Sequence, residues 1–253
     1  YQKGNNITDL NNKKAIDDII KFYKLQNCDY KIVPEGALNK KRPLVFQGEN
    51  IYIGGSNFNI GSTVTDITLQ SFNPKSKTTK DIYLSLKWGN TVTFFNAGVQ
   101  KILTRAEIQT GTIENDNGKK ILELFGIRPE KFCSVFNKYN AGGKVDAEKE
   151  NTFANVNVNL LKSLIKSGVG YGYHLVHQAN NGKIHHVEMT ERELEISSTP
   201  QSCVVHYGGL TGGGKRIDIV VETPLFTLKF NFRSKFRGIV YPTHLMCDYV
   251  IKH

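Results

Sequence analysis

A carboxylate and a lysine on neighbouring strands can carry out phosphodiester chemistry, and Asp66 and Lys87 are spaced to form such a pair. Asp66 opens one alternating segment, Asp66-Ile67-Thr68-Leu69-Gln70, and Lys87 closes another, Asp81-Ile82-Tyr83-Leu84-Ser85-Leu86-Lys87. The polar, lysine-rich stretch between them contains Pro74, so the two segments read as a β-hairpin. Period-two alternation puts Ser85 and Lys87 on one face of the second strand and Leu84 and Leu86 on the other. An acid at the start of one strand, beside a cationic group near the end of the next, can hold a divalent cation next to a positioned water. Metal-assisted hydrolysis of a phosphodiester needs that arrangement.

Asp66, eighteen intervening positions and then Ser85-Leu86-Lys87 resemble the motif of the PD-(D/E)xK nuclease superfamily. There an Asp is followed, after a spacer of variable length, by a (D/E)-x-K triplet ending the next strand. The sequence looks most like small type II restriction endonucleases that carry a neutral residue in place of the triplet acid, and the resemblance spans residues 60–110. It implies a magnesium-dependent DNA endonuclease, sequence-specific in the restriction manner, with Asp66, Ser85 and Lys87 at the catalytic centre. Asp66 and the backbone carbonyl of Leu86 would hold Mg²⁺, Lys87 would orient the attacking water, and the 3′ oxygen would leave. A homodimer is the matching expectation, because type II sites are palindromic. Ser85 is the departure from the family pattern, since a neutral hydroxyl is a poorer ligand than carboxylate for a hard cation. The missing charge then has to come from Glu49, Glu35 or Asp81, and the sequence does not choose among them.

The elements that must position these residues follow from periodicity. Residues 8–26 place Leu10, Ala15, Ile16, Ile19, Ile20 and Tyr23 on one helical face, with Asp17 and Asp18 on the polar side. Turn-rich text follows from Pro34 to Gly61, with a basic run, Lys40-Lys41-Arg42, suited to phosphate contact. After Lys87 come Trp88, a strand at 91–95, a helix from about Gly98 to Ile108, a second helix at 118–125 ended near Gly126 and Pro129, a polar loop at 137–151 and a third helix at 157–166. From Gly170 onward the text is mostly strand-like, with a strong hairpin signal at Asn181-Gly182. The expected fold is α/β (α+β): a restriction-endonuclease-like mixed sheet flanked by helices, with a β-rich C-terminal half. Residues 1–168 read as the nuclease-like core and 169–253 as a β-rich part that grips DNA, either extending the first sheet or forming a second one.

Four features of the C-terminal half bear on chemistry. The segment Gly209 to Lys215 matches the spacing of a phosphate-binding loop, but Arg216 stands where Ser or Thr should meet magnesium, and a strand follows where a helix should begin, so it reads as a turn. His174, His177, His185 and His186 invite a zinc reading. However, His174 and His177 are three apart on a strand and face opposite sides, and His185 and His186 diverge likewise. Lys229, Asn231, Arg233, Lys235 and Arg237 share one face of a strand whose other face is Leu228, Phe230, Phe232 and Phe236. Lys229, Arg233, Lys235 and Arg237 therefore join the basic run as candidate DNA contacts. A rival catalytic pair also exists here, with Asp218 and Glu222 on one strand and Lys229 on the next.

Composition narrows the class. Apolar content of 39% with 10% aromatic residues marks a globular chain, and a net charge of +10 points to a polyanionic partner, DNA foremost. No run of eighteen apolar residues and no signal-peptide core appears, and the four cysteines form no C-x-x-C pair. These features give a cytoplasmic protein with reduced thiols that does not enter a membrane. Two other classes remain open from sequence: a non-catalytic nucleic-acid-binding or phage/viral packaging protein, and a structural domain of a longer polypeptide.

Overall fold

The computed structural model describes residues 10–35, 43–55, 57–89, 92–210, 214–234 and 236–252. Helix α1 (Leu10–Phe22) forms on the expected face, with Ala15 and Ile19 buried. In chain order there follow β1 (Asp29–Pro34), β2 (Leu44–Gln47), β3 (Asn50–Ile53), the short α2 (Gly61–Val64), β4 (Ile67–Asn73), β5 (Thr78–Trp88) and β6 (Val92–Gly98). Three helices come next, α3 (Arg105–Thr110), α4 (Asp116–Glu123) and α5 (Pro129–Asn140), then β7 (Glu148–Asn151) and α6 (Val158–Val169). The chain continues through β8 (Tyr173–Gln178), β9 (Ile184–Met189), α7 (Glu191–Ser197), β10 (Ser202–Tyr207), β11 (Ile217–Glu222), β12 (Phe226–Arg233) and β13 (His244–Ile251). The fold is mixed α/β and rich in strand.

Three helices differ from the sequence expectation. Helix α5 begins at Pro129, which the sequence reading takes as a breaker; proline is tolerated at the first helical position because its missing N–H would have no partner there. Helix α7 interrupts the β-rich half with Glu191-Arg192-Glu193-Leu194-Glu195, all good helix formers except where context overrides them. The helix expected from Gly98 starts later, at Arg105, because Thr104 and Glu107 build a reciprocal N-terminal cap.

The chain divides into two compact units that interleave in sequence. The first takes residues 1–39, 59–92 and 170–193, and the second takes 40–58, 93–169 and 194–253. The sequence partition at 168/169 is therefore not the structural one. The β-rich half does both things left open for it: β8 and β9 extend the first sheet, and β10 to β13 build another.

The first unit is a five-stranded sheet in the order β1-β4-β5-β8-β9, antiparallel except for the parallel pair β5 and β8. Helix α1 covers one face through a small core in which Leu25, Ile82 and Leu84 are buried, with Ile20, Tyr23, Ile67 and Leu69 packed against them. The second unit holds a six-stranded sheet, β6-β13-β12-β11-β10-β7, and the small β2-β3 pair. Its core is aromatic: Phe230 lies 5.0 Å from Phe125, and Phe232 lies 5.2 Å from Phe132, edge to face. Strand β3 is stitched to α6 by Ser163, whose Oγ accepts the Ile51 N–H at 2.9 Å and donates to the Ile51 carbonyl at 3.1 Å. Among the described residues no helix is long and apolar enough to cross a membrane.

Candidate functional site

The hairpin read from the sequence is β4 and β5, with Ile67 opposite Leu84 and the turn at 74–77. Just before β4, Thr65 Oγ1 donates to the Ile67 carbonyl at 2.7 Å and shapes the entry to the strand. The Asp66 amide then donates to the Leu84 carbonyl at 2.8 Å, while Asp66 Oδ2 accepts the Leu86 N–H at 2.7 Å. The two bonds bracket Ser85, so Asp66 sits level with it. The carboxylate takes the place of a strand carbonyl and is thereby fixed to the β5 backbone. Leu86 thus reaches Asp66 through its amide, whereas the sequence expectation uses its carbonyl.

Along β5, Leu84 turns toward the α1 side, which places Ser85 and Lys87 on the other face. Ser85 is buried, Lys87 is half-buried, and Leu86 and Trp88 are exposed, Trp88 to 73%. Parallel pairing sets Lys87 beside His177 on β8, and His177 stands opposite His185 on β9. The three residues form one row across the sheet. His177 Nε2 donates to the Gly89 carbonyl at 2.6 Å, which fixes its ring.

Of the three acids considered as replacements for the triplet acid, one comes to Asp66. The β1-β4 register pairs Pro34 with Ile67, and the Glu35 amide continues it by donating to the Asp66 carbonyl at 3.1 Å. Thr68 Oγ1 donates to Glu35 Oε1 at 2.7 Å. Asp81 instead pairs with Gln70, four positions before Ser85 and so about 13 Å away along the strand. Glu49 lies in the turn between β2 and β3, in the second unit. Among the described residues no group of three or more His, Cys, Asp or Glu side chains stands together as a cation site. The Asp66 and Glu35 carboxylates and the nearby backbone oxygens are all hard oxygen donors, the type that suits Mg²⁺.

The rival pair is spoken for. Asp218 is buried, and its Oδ2 accepts the Leu210 N–H at 2.7 Å and Arg216 Nε at 2.9 Å, tying down the base of the glycine-rich turn. Glu222 accepts Thr227 Oγ1 at 2.8 Å and pairs with Lys252 at 2.7 Å. Lys229 stands opposite Val220 and Asp248, not opposite either acid.

Lys40, Lys41, Arg42 and Lys235 lie outside the described residues. On β12 the expected alternation holds as far as Arg233: Phe226, Leu228, Phe230 and Phe232 are buried, while Lys229 and Arg233 are half-buried on the other face; Phe236, expected on the apolar face, lies beyond the strand and is exposed. The basic stripe does not extend across the sheet, however. Asn231, between the two cations, is buried and faces Asp218, and Lys229 has Asp248 as a neighbour. Arg237 is exposed in the connection that follows.

The histidines form a cluster that sequence spacing does not show. His174 Nε2 lies 3.0 Å from His186 Nδ1, and His174 Nδ1 lies 3.0 Å from the Tyr23 hydroxyl. Tyr23 also reaches Glu188 at 3.4 Å, and His186 Nε2 lies 3.6 Å from Asp18. Burial, and then the neighbouring His186, push the His174 pKa down to about 4; burial and Glu188 push the Tyr23 hydroxyl well up. The missing signal was the register of β8 and β9. A two-residue Asn181-Gly182 turn would pair Gln178 with His185, but the observed loop has three residues and pairs Gln178 with Ile184.

Comparisons with protein-family models, with curated proteins and with solved structures return no match.

Proposed function

We propose that this chain is a magnesium-dependent DNA endonuclease of the PD-(D/E)xK kind, with its centre at Asp66, Ser85 and Lys87. The observation that carries the reading is the Asp66 carboxylate anchored at 2.7 Å on the Leu86 amide, level with Ser85 and two residues short of Lys87, inside a mixed sheet flanked by a helix. Asp66 offers its remaining lone pairs to a cation, and Lys87, on the same strand face as Ser85, orients the water that attacks phosphorus. Bound Mg²⁺ would stabilise the charge that develops on the phosphate. Ser85 is too enclosed and too weak a donor to replace a triplet acid, so its part is to fill the floor beneath Asp66. The net charge of +10 supports DNA as the substrate, with Arg233 and Arg237 as contributors to phosphate contact. Recognition of a palindromic site by a homodimer belongs to the same proposal.

The test is incubation of the protein with plasmid and genomic DNA, with Mg²⁺ or with EDTA, alongside folded Asp66→Ala and Lys87→Ala variants. Discrete fragments that need Mg²⁺ and vanish in both variants are the expected result. DNA that is bound in a salt-sensitive manner but never cut would replace this reading with the non-catalytic nucleic-acid-binding one.

A further inference from the structure

We infer that the second unit carries a nucleotide-binding site, in a cleft of about 510 Å³ between the segment that follows β6 and the one that leads into β13. The Val99 N–H donates to the Thr243 carbonyl at 2.9 Å and ties these two segments together. Residues 100–105 form one wall, where Lys101 and Arg105 stand exposed, and residues 238–243 form the other. Asn140, at the end of α5, completes the lining. The volume falls among small-molecule sites, about 300–1,000 Å³, and exceeds what a bare phosphate fills.

The lining suits an anion with an organic body. Among the described residues its charged side chains are Lys101 and Arg105 alone, and neither forms an ion pair. Glu107, the nearest acid in sequence, is committed to the cap of α3: its Oε2 accepts from Thr104, and its Oε1 accepts the amides of Glu114 and Asn115. Arg105 is also held in place. Its guanidinium carbon lies 5.4 Å from the centroid of the Tyr241 ring, and Tyr241 is itself buried, with its hydroxyl donating to Asn137 Oδ1 at 3.4 Å. A guanidinium held against a fixed ring keeps its planar fork of N–H donors for a ligand and loses less freedom when it grips a phosphate. Lys101 adds a second positive charge, and Gln100 and Asn140 add amides. Ile239, exposed to 48%, gives the cleft an apolar side for a base or sugar. A phosphate on the two cations with its nucleoside against Ile239 uses both kinds of surface. A free nucleotide and the terminal nucleotide of a nucleic-acid strand share this chemistry, and the site is separate from the Asp66 centre in the first unit.

The experiment titrates the full chain by calorimetry with deoxyadenosine monophosphate, deoxyadenosine, inorganic phosphate, and a single-stranded oligonucleotide with and without a terminal 5′ phosphate. The variants are Arg105→Ala, Arg105→Lys, Lys101→Ala and, as a control for the lost charge, Lys149→Ala on β7 at the opposite edge of the sheet from β6. Circular dichroism establishes that each is folded. We expect the nucleotide to bind more tightly than deoxyadenosine or phosphate, and Arg105→Ala and Lys101→Ala each to weaken it by roughly tenfold. Arg105→Lys should keep only part of the affinity, because an ammonium lacks the planar fork, and Lys149→Ala should change it by less than about twofold. A phosphorylated strand that binds more tightly than the nucleotide, with the unphosphorylated strand weak, supports the site with a strand end as its occupant; a strand that binds no more tightly supports it with a free nucleotide. Absence of binding by both nucleotide and phosphorylated strand at millimolar concentration overturns the site. Equal losses in Arg105→Ala and Lys149→Ala overturn it too, since diffuse attraction to positive charge then explains the binding. Inorganic phosphate that binds as tightly as the nucleotide overturns the nucleotide assignment.

Discussion

The two units treat their carboxylates differently. In the second unit most acids on or beside the sheet are answered by a cation: Glu148 and Glu150 by Lys131, Glu195 by Lys162 and Lys166, Asp218 by Arg216, and Glu222 by Lys252, while Asp248 accepts the Thr93 hydroxyl at 2.6 Å. In the first unit Asp66 meets an amide, Glu35 and Glu188 meet hydroxyls, and Asp18 meets an imidazole. A carboxylate neutralised by a lysine or arginine is a strut, and its charge is no longer offered to a ligand. One held by neutral donors is oriented but keeps its full charge. That difference, more than sequence spacing, separates the Asp66 centre from the Asp218 rival.

The sharpest way to break this contrast is to remove one acid of each kind. Asp66→Ala is expected to lose all Mg²⁺-dependent cleavage while staying within about 1 kcal/mol of wild-type stability, since only one hydrogen bond to an accessible strand end goes. Asp218→Ala is expected to lower stability in urea unfolding by about 3 kcal/mol, because Arg216 and the Leu210 amide lose a buried partner. Cleavage per folded molecule should not change. Exchange of those two outcomes would move the centre to the second unit.

A purely structural change in the second unit sets the scale. Phe230→Ala, in a fully buried side chain between Phe95 and Phe125, should cost about 3–5 kcal/mol by the same measurement.

The burial of His174 beside His186 in the first unit also predicts a pH response. The folded pKa of His174, about 4, lies below the value of about 6.5 expected in the unfolded chain. Below pH 6.5 the unfolded state takes up a proton that the folded state refuses, so stability is full above about 6.5 and falls as the pH drops toward 4. The loss is on the order of 2–3 kcal/mol. The groups around the ring are Phe22 and Tyr23 at and just after the end of α1, and His186 and the opposed Glu188 on β9. A His174→Gln variant should show a flatter stability profile between pH 6.5 and 4; an unchanged slope would assign the acid sensitivity to other groups. The smallest effect belongs to the second unit again, where Thr104→Ala removes the cap of α3 and should cost about 1 kcal/mol in unfolding experiments.

Much of the local structure was written in the sequence. The period-two pattern of 66–70 and 81–87 specified the hairpin, and the 3.6-residue spacing of Ala15, Ile16, Ile19 and Ile20 specified α1, because both patterns arise from geometry within a few residues. Alternation also fixed which face of β12 is aromatic. Pro129 misled, since proline is found both after a helix and at the first position of one, and only the packing of Phe132 on Phe232 of the sheet, with Phe136 against it, decides which.

What the sequence by itself determined was the set of groups: an acid and a lysine on one hairpin, a neutral residue where a second acid would be expected, and an excess of positive charge. Tertiary structure decided their neighbours. It brought Glu35 to Asp66 from 31 positions away, joined His174 to His186, interleaved the two units, and spread acids beside the basic strand. Strand register and pairing order are set by contacts between distant segments, and a shift of one residue turns every side chain to the opposite face. No reading of one strand at a time contains that information.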